Sequence, residues 1–481
     1  MKFGGTSVGD ATRIRRAAEI VAAAAAEEGT VIAVVSAMGG VTNRLIEAAQ
    51  ASATGNRDTA VQIAETLRKQ HHEAVEDLVS NNDRRLLLVA EIEKIIEQVT
   101  GLCYGTALLR ELTPRVLDEI LSTGERLSAR LLANALCELG LKGVAVEATE
   151  LIVTDSVSGR ADPLMPQTRE KASARLSALI ADDSVPVVTG FIGATAEGML
   201  TTLGRGGSDY SATILGAALD AAEVIIWTDV DGVLTADPRL VPEARTLREI
   251  SYNEAAELAY FGAKVLHPKT LRPVSEAGIP VWIRNSFAPE RQGTKITATG
   301  HPTARGVKAI TAICGVSLIT VGGRGIVGLP GVAGKTFSAV ANAQANVLLI
   351  SQSSSQNDIC FIINSEDEER TVEKLRQAFA FDLAHQQIEH ITVNPEIAIV
   401  AVVGDRMRGT PGISGRTFSA LGRKGINIIA IAQGSSEYNV SFVVEVGMMR
   451  EAVQALHSEF GLQRRASRFE SAESASALAS V

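Results

Sequence analysis

Short apolar runs alternate with longer helical patterns from Lys2 to about Ile296. The apolar runs are rich in β-branched residues, which is typical of buried parallel strands. They are Val31–Ser36, Gly143–Glu147, Val185–Val188, Val224–Trp227 and Pro280–Ile283. The helical patterns cover Ala11–Glu28, Gly124–Leu139, Thr168–Ala181, Ser208–Leu219 and Asn253–Phe261. This alternation predicts βαβ units, and therefore an α/β fold with a mainly parallel sheet flanked by helices.

One stretch interrupts the alternation. From about Ala51 to Thr113 the chain is polar and helical in pattern, without a strand signal. We expect this stretch to form a helical insertion on the α/β core. A chain of 481 residues is too long for a single hydrophobic core, so further domains should follow the first one, which we assign to residues 1–300.

The last third of the chain contains an internal repeat. The segment beginning at Pro330 aligns without a gap to the segment beginning at Pro411, 81 residues later. Both copies have the pattern loop, helix, strand, turn, strand, which predicts a duplicated α+β module. We assign the modules to residues 310–388 and 394–462. Residues 463–481 are rich in Ala, Ser and Glu and are expected to form a flexible tail.

Charge and composition exclude several classes of function. The net charge of −9 argues against a nucleic-acid-binding surface, which requires a basic face. No apolar run reaches the length of a membrane span, and the N-terminus lacks a signal-peptide pattern. The four cysteines are far apart, without metal-ligand spacing, and are expected to be reduced. The sequence therefore predicts a soluble cytoplasmic protein.

Two glycine-rich loops precede helical patterns and carry candidate chemistry. In Lys2–Val8, a Gly-Gly pair allows close approach of backbone N–H groups to a phosphate, whose charge Lys2 could offset. In Leu203–Asp209, Arg205 is suited to bidentate binding of a carboxylate. Asp209 could orient Lys2 or metal-bound phosphates. The alternatives are an ordinary glycine turn in the first loop and helix capping by Ser208 or Asp209 in the second.

A third polar segment, Trp227–Arg239, follows a predicted buried strand. Open α/β sheets bind ligands beyond the carboxyl ends of their strands, although a solvated acidic turn is about equally compatible with this segment. No Ser/His/Asp or Cys/His arrangement is evident in the sequence. A carboxylate nucleophile is already ionised at neutral pH, so a kinase that acts on one needs positioning and charge neutralisation more than a base.

Taken together, these motifs resemble those of the aspartokinase family over nearly the whole chain. Six segments match the kinase motifs of that family in order: residues 2–8, 36–43, 122–128, 201–210, 227–239 and 261–268. The resemblance implies the three-layer amino-acid-kinase sandwich, followed by two ferredoxin-like ACT domains with interleaved strands. It also implies ATP-dependent phosphorylation of L-aspartate with Mg²⁺, the first step of lysine, threonine and methionine biosynthesis.

The resemblance assigns roles residue by residue. Lys2 and Asp209 match the catalytic lysine and the aspartate that organises phosphoryl transfer. The positions that match the aspartate-binding residues are Ser36, Thr42, Glu125, Arg205 and Ser208. Among these, Glu125 would pair with the substrate ammonium and Arg205 with its α-carboxylate. The positions that match nucleotide-contacting residues are Lys2, Gly4, Gly5, Thr228, Asp229, Arg239 and Lys264.

The repeats are most similar to those of threonine-sensitive aspartokinases. Gln352 and Gln433 match glutamines assigned to threonine sensing, and Asn346 and Asn427 complete the predicted effector-binding set. Feedback inhibition by threonine, by lysine or by both is expected, together with assembly into a homodimer or a larger homo-oligomer. The alternative for each glutamine is a structural role, in which its side chain is hydrogen-bonded at the end of a strand.

Two alternatives concern the kinase itself. A non-catalytic amino-acid sensor with a degenerate kinase domain would be expected to lose Lys2, Arg205 or Asp209, and all three are present. An amino-acid kinase acting on another carboxylate is the second alternative. Only Met1 precedes Lys2, so either the first strand is shortened or the true start lies upstream.

Overall fold

The computed structural model describes residues 1–262, 266–301, 306–323, 330–352, 358–407, 409–433 and 438–463. Lys264, one of the predicted nucleotide-contacting residues, lies outside the described residues. The chain forms two compact units. The first contains Met1–Val233, Thr246–Ala256 and Lys264–His301, and the second contains Leu234–Arg245, Glu257–Ala263 and Pro302–Val481.

The first unit is built on a mainly parallel sheet. Its strands are β1 (Lys2–Phe3), β2 (Ala33–Val35), β3 (Lys142–Val146), β4 (Ser184–Thr189), β5 (Ile192–Ala194), β6 (Leu200–Thr202), β7 (Val224–Thr228), β8 (Glu249–Ser251), β9 (Val281–Asn285) and β10 (Thr294–Thr297). Within the described residues, eight of them form one sheet in the order β3-β4-β2-β1-β7-β9-β10-β8. All neighbours in it are parallel except β9 and β10, while β5 and β6 form a separate antiparallel pair.

Helices pack around this sheet. They are α1 (Ala11–Glu28), α2 (Val41–Ala53), α3 (Arg57–Leu78), α4 (Asn82–Leu109), α5 (Pro114–Glu138), α6 (Met165–Ala181), α7 (Gly207–Ala218), α8 (Tyr252–Tyr260) and α9 (Pro268–Ala277). The residues of α8 from Glu257 onward belong to the second unit. The α/β prediction is therefore confirmed. The predicted insertion consists of helices, and it is part of the main core because Leu67, Ile92 and Ile96 are buried in one cluster with Phe3 and Val35.

Sequence patterns missed the smallest elements. Strands β8 and β10, with the sequences Glu-Ile-Ser and Thr-Lys-Ile-Thr, are too short and too polar to show a strand period. The pair β5–β6 was also missed. Helix α5 begins at Pro114, ten residues before the predicted start at Gly124, because Thr113 caps it and Pro114 suits the first turn.

The second unit contains both copies of the repeat. Its strands are β11 (Ala309–Gly322), β12 (Val347–Gln352), β13 (Asp358–Asn364), β14 (His390–Val403), β15 (Ala430–Ala432) and β16 (Asn439–Glu445). Its helices are α10 (Val332–Asn342), α11 (Glu368–Ala378), α12 (Ala380–Ala384), α13 (Ile413–Arg423) and α14 (Met449–Glu459). The described strands form one antiparallel sheet in the order β12-β13-β11-β14-β16-β15.

Strands β11 and β14 are each shared between the two copies. Strand β11 pairs with β14 along its whole length, and its second half, Val316–Gly322, also pairs with β13. The second half of β14, Ile397–Val403, also pairs with β16. Each copy keeps its own apolar core beneath its helices, one around Phe361 and one around Phe442. The strands of the two modules are therefore interleaved, as the sequence resemblance implied.

The second unit also incorporates a segment that follows the kinase motif at Trp227. In the segment Leu234–Arg245, Ala236 and Val241 are buried in the core of the second copy with Phe442. The Thr235 hydroxyl lies 3.0 Å from His457 Nε2 in α14, and Arg245 Nε donates a hydrogen bond to the Leu462 carbonyl. The core of the second copy thus extends beyond the repeat itself.

Candidate active site

Three strand ends meet beside the first glycine-rich loop. The Ser36 N–H after β2 donates to the Phe3 carbonyl, and the Gly4 N–H after β1 donates to the Trp227 carbonyl in β7. These bonds hold the loops after β1, β2 and β7 side by side at one sheet edge. Such an edge is where an open α/β sheet binds ligands.

A cavity of about 580 Å³ opens at this edge. Its walls come from the loops after β1 and β2, from α5 and from the loop before α7. The predicted site residues among its lining are Lys2, Gly5, Ser36, Thr42, Glu125, Arg205, Ser208 and Asp209. Residues assigned from separate motifs, more than 200 positions apart in sequence, therefore line one cavity.

Lys2 and Asp209 form an ion pair inside the cavity. Both side chains are largely buried, and Asp209 lies in the first turn of α7. The partial shielding from water strengthens the pair relative to a surface salt bridge. It holds an ammonium group at the bottom of the cavity, where it can offset negative charge on a phosphoryl group.

Two helix N-termini contribute backbone donors. Helices α2 and α7 are preceded by Gly40 and Gly206, both in the left-handed conformation, and among the described residues no side chain caps either helix. The first turns of both helices line the cavity. Their free N–H groups and helix dipoles favour a bound carboxylate or phosphate. The alternative that Ser208 or Asp209 caps α7 is wrong.

The first glycine-rich loop, Lys2–Val8, does not lead into an uncapped helix N-terminus. It turns back on itself, since the Ser7 and Val8 N–H groups both donate to the Gly4 carbonyl. Helix α1 starts only at Ala11, and its N-terminus is capped by Asp10, which accepts from the Arg13 N–H. The first loop therefore offers Gly5 and Thr6 to the cavity, and the uncapped helix ends belong to α2 and α7.

Glu125 is the most perturbed acid of the site. It is 4% exposed, and burial raises the pKa of its carboxyl to about 8, against the opposing effects of the Ala37 N–H and the Lys2 charge. The preceding residue, Gly124, permits this position, because a Cβ atom there would lie 2.5 Å from Ala37 Cβ. A cation bound beside Glu125 would favour the ionised form of its carboxyl group.

Arg205 occupies a tight turn before α7, and we call residues 203–208, which include the first two residues of α7, the arginine loop. Gly204 and Gly206 have φ values of 78° and 70°, and the Gly207 N–H donates to the Gly204 carbonyl. Phe191 supports the loop and lines the cavity with it, although sequence reasoning missed it. Its φ of 71° is unusual for a bulky residue. The sequence signal that could have indicated Phe191 was its position shortly after a predicted buried strand.

Comparison with known proteins agrees with this arrangement. The amino acid kinase family model matches residues 1–285, and the ACT domain model matches residues 319–379 and 400–460. The second ACT match is displaced by the same 81 residues as the repeat. E. coli aspartokinase III, solved with aspartate and ADP, is 32% identical and superposes with a TM-score of 0.78, covering 95% of this chain and 98% of its own.

The chain belongs to the aspartokinase family. Aspartokinase 1 of Arabidopsis thaliana is 34% identical over 96% of this chain and 79% of its own length. The bifunctional aspartokinase/homoserine dehydrogenase 2 of the same plant is 36% identical, over 96% of this chain and 50% of its own. The chain thus spans about half the length of the bifunctional relatives it matches.

Of the predicted nucleotide-contacting residues, Gly4, Thr228 and Asp229 belong to the first unit and Arg239 to the second. Gly4 lies beside the cavity, and Thr228 ends the adjacent strand β7, followed by the exposed Asp229. The Thr228 carbonyl accepts hydrogen bonds from the N–H and the hydroxyl of Ser286. Arg239 belongs to the second unit, where its guanidinium pairs with Asp237.

The predicted effector residues occupy similar places in the two ACT copies of this chain. Asn346 directly precedes β12 and Gln352 is its last residue, while Asn427 precedes β15 and Gln433 follows it. All four side chains are exposed. Asn346 and Gln352 thus lie at opposite ends of β12, a six-residue strand that spans about 20 Å.

Proposed function

We propose that this chain is an aspartate kinase that converts ATP and L-aspartate to ADP and 4-phospho-L-aspartate. The observation that carries the proposal is the single cavity lined by Lys2, Asp209, Glu125 and Arg205. Two of these side chains complement the α-amino and α-carboxylate groups of an amino acid. The other two suit the transfer of a phosphoryl group.

The chemistry needs no general base. The side-chain carboxylate of aspartate attacks the γ-phosphorus of ATP, a P–O bond to that carboxylate forms, and the bond to the ADP oxygen breaks. Lys2 offsets the charge of the transferring group, and Asp209 holds the Lys2 ammonium in place. The free N–H groups of α2 and α7 add further positive potential.

Mg²⁺ would enter as part of the MgATP substrate. The described residues contain no group of three or more His, Cys, Asp or Glu side chains that could hold a metal ion. Such a cluster is not required, since Mg²⁺ commonly binds phosphate oxygens and water with one or two carboxylates. Asp209, one of two acidic side chains that line the cavity, could serve in this way.

Regulation is proposed to act through the ACT modules. A second structure of E. coli aspartokinase III holds lysine and aspartate in its T-state. By analogy, threonine, lysine or both would inhibit this enzyme through Asn346, Gln352, Asn427 and Gln433, in a homodimer or larger homo-oligomer. We place the reaction at the first step of lysine, threonine and methionine biosynthesis, in the cytoplasm. No helix among the described residues is long and apolar enough to cross a membrane.

The direct test is acyl-phosphate formation, trapped as a hydroxamate with hydroxylamine, using aspartate and glutamate as parallel substrates. We expect product from aspartate, and Lys2→Ala should lower kcat by about 10³-fold while effector binding persists. Product from glutamate alone would favour another amino-acid kinase. Effector binding without any turnover would favour a non-catalytic sensor. Titrating threonine and lysine separately on the wild type and on Gln352→Ala then identifies the effector.

A further inference from the structure

A buried carboxylate outside the cavity lining supports the arginine loop. Asp118 lies in α5 and is only 1% exposed. Its Oδ1 accepts a hydrogen bond of 2.6 Å from the Thr202 hydroxyl. The Gly159 N–H donates to both carboxylate oxygens, at 3.1 and 3.0 Å. One side chain therefore connects α5, the end of β6 and the segment that contains Gly159.

These contacts lie directly beneath the arginine loop. Thr202 is the residue before that loop, and its carbonyl accepts a hydrogen bond of 2.9 Å from the Ala161 N–H. Gly204, inside the loop, approaches so closely that a Cβ atom there would lie 2.9 Å from the Gly159 carbonyl oxygen. The segment 159–161, held by Asp118, is thus the surface on which the arginine loop rests.

Burying a carboxyl group costs free energy unless its oxygens are hydrogen-bonded. Asp118 satisfies this condition with one hydroxyl and one backbone amide from two different segments. Removing the Thr202 hydroxyl would leave the buried carboxylate with the Gly159 N–H as its one remaining donor among these contacts. The network therefore resists small displacements of the loop relative to α5.

Asp118 and Glu125 are carried by the same helix. Seven residues correspond to two turns, so the two side chains project from the same face about 10 Å apart along the axis. A rigid helix thus bears the carboxylate that faces the cavity and the carboxylate that anchors the arginine loop. Movement of one relative to the other is limited by the stiffness of α5.

We infer that Asp118, acting with Thr202, is a positioning residue that fixes the distance between Arg205 and Glu125. On the proposed function, on which this inference rests, the two groups bind the α-carboxylate and the ammonium of aspartate. Asp118 then determines how well both groups of the substrate are held at once. It does so without touching either substrate.

The test uses Thr202→Val, which keeps the side-chain shape and removes the hydroxyl, and Thr202→Ser, which restores the hydroxyl. We expect Thr202→Val to raise the KM for aspartate about 10-fold, with kcat and the KM for ATP changing less than about 3-fold. Thr202→Ser should stay near the wild type. Asp118→Ala, which removes both acceptor oxygens, should affect the KM for aspartate at least as strongly as Thr202→Val.

A matched control and a second readout separate positioning from general stability. Thr168→Val removes another fully buried, hydrogen-bonded hydroxyl in the same unit, and it should lower the melting temperature without changing the KM for aspartate. Hydrogen–deuterium exchange of the amides of residues 203–208 should quicken in Thr202→Val but not in Thr168→Val.

The exchange measurement does not depend on catalysis. If the wild type fails to phosphorylate aspartate, the proposed function is wrong, whereas faster exchange in Thr202→Val still supports the anchoring role. Unchanged exchange and unchanged KM for aspartate in Thr202→Val would overturn the inference. An equal rise in the KM values for ATP and aspartate would also overturn it, because the effect would then not be confined to the arginine loop.

Discussion

At the scale of single residues, Glu125 decides how the site responds to pH. Its pKa of about 8 reflects burial, which favours the neutral acid. The proposed role requires the ionised form, since only a carboxylate pairs with the substrate ammonium. Aspartate binding below pH 8 must therefore expel a proton from Glu125, and the free energy of that ionisation is subtracted from the affinity.

We accordingly expect the Kd for aspartate to fall as pH rises from 6 to 8, by up to about 10-fold per pH unit, and to level off above 8. Isothermal titration calorimetry at pH 7, in two buffers of different ionisation enthalpy, should detect release of close to one proton. Glu125→Gln should bind more weakly and release none. Proton release that is absent from the wild type would contradict the assignment of Glu125.

At the scale of elements, the approach of α5 to the loop after β2 positions Glu125. The contact depends on Gly124, where even a methyl group would lie 2.5 Å from Ala37 Cβ. The two clashing atoms would both be Cβ atoms, whose positions are set by the backbone, so a side-chain rotation cannot relieve the clash. Either the helix or the loop must move, and both line the cavity.

Gly124→Ala is therefore expected to destabilise the protein by about 1–3 kcal/mol and to lower kcat/KM for aspartate by about 10- to 100-fold. Thermal unfolding and steady-state kinetics measure the two effects. Gly105→Ala is the matched control, because it also lies in a helix and its Cβ would meet no described atom within 4 Å. That control should be neutral or slightly stabilising. Normal activity in Gly124→Ala would show that the close contact is dispensable.

At the scale of the whole molecule, the second unit contains more than the two ACT copies. The segment Leu234–Arg245 continues the kinase motif that begins at Trp227, and it is built into the core of the second copy. Helix α14 holds it through His457, and through Gln454, which donates to the Leu240 carbonyl. In the chain, this segment begins five residues after Asp229, which with Thr228 is a proposed nucleotide contact.

Loosening the segment Leu234–Arg245 should weaken the binding of ATP more than the binding of aspartate. We expect Thr235→Ala, which removes the contact with His457, to raise the KM for ATP by about 3- to 10-fold and to leave the KM for aspartate unchanged. Initial-rate kinetics with each substrate varied in turn test this. Thr417→Ala, a buried hydroxyl in α13 of the same unit, is the control for stability loss. Equal changes in both KM values would argue against a specific link to the nucleotide.

The amino-acid sequence by itself determined the local structure and the repeat. Helix α1 was predicted with its observed ends, and strands β2, β3, β4, β7 and β9 were found where apolar β-branched runs lie. The 81-residue repeat predicted the duplicated module, and the glycine-rich loops indicated the cavity. These features are readable because side-chain periodicity and glycine backbone freedom act over a few residues.

The tertiary structure decided what depends on residues far apart in the chain. Only folding brings Lys2 to Asp209, buries Glu125 so that its pKa rises, and places Asp118 beneath the arginine loop. Desolvation and hydrogen bonding of a buried group are set by neighbours that no local pattern specifies. For the same reason, the sequence indicated which residues form the site. The structure determined their protonation, their spacing and the contacts that hold them in place.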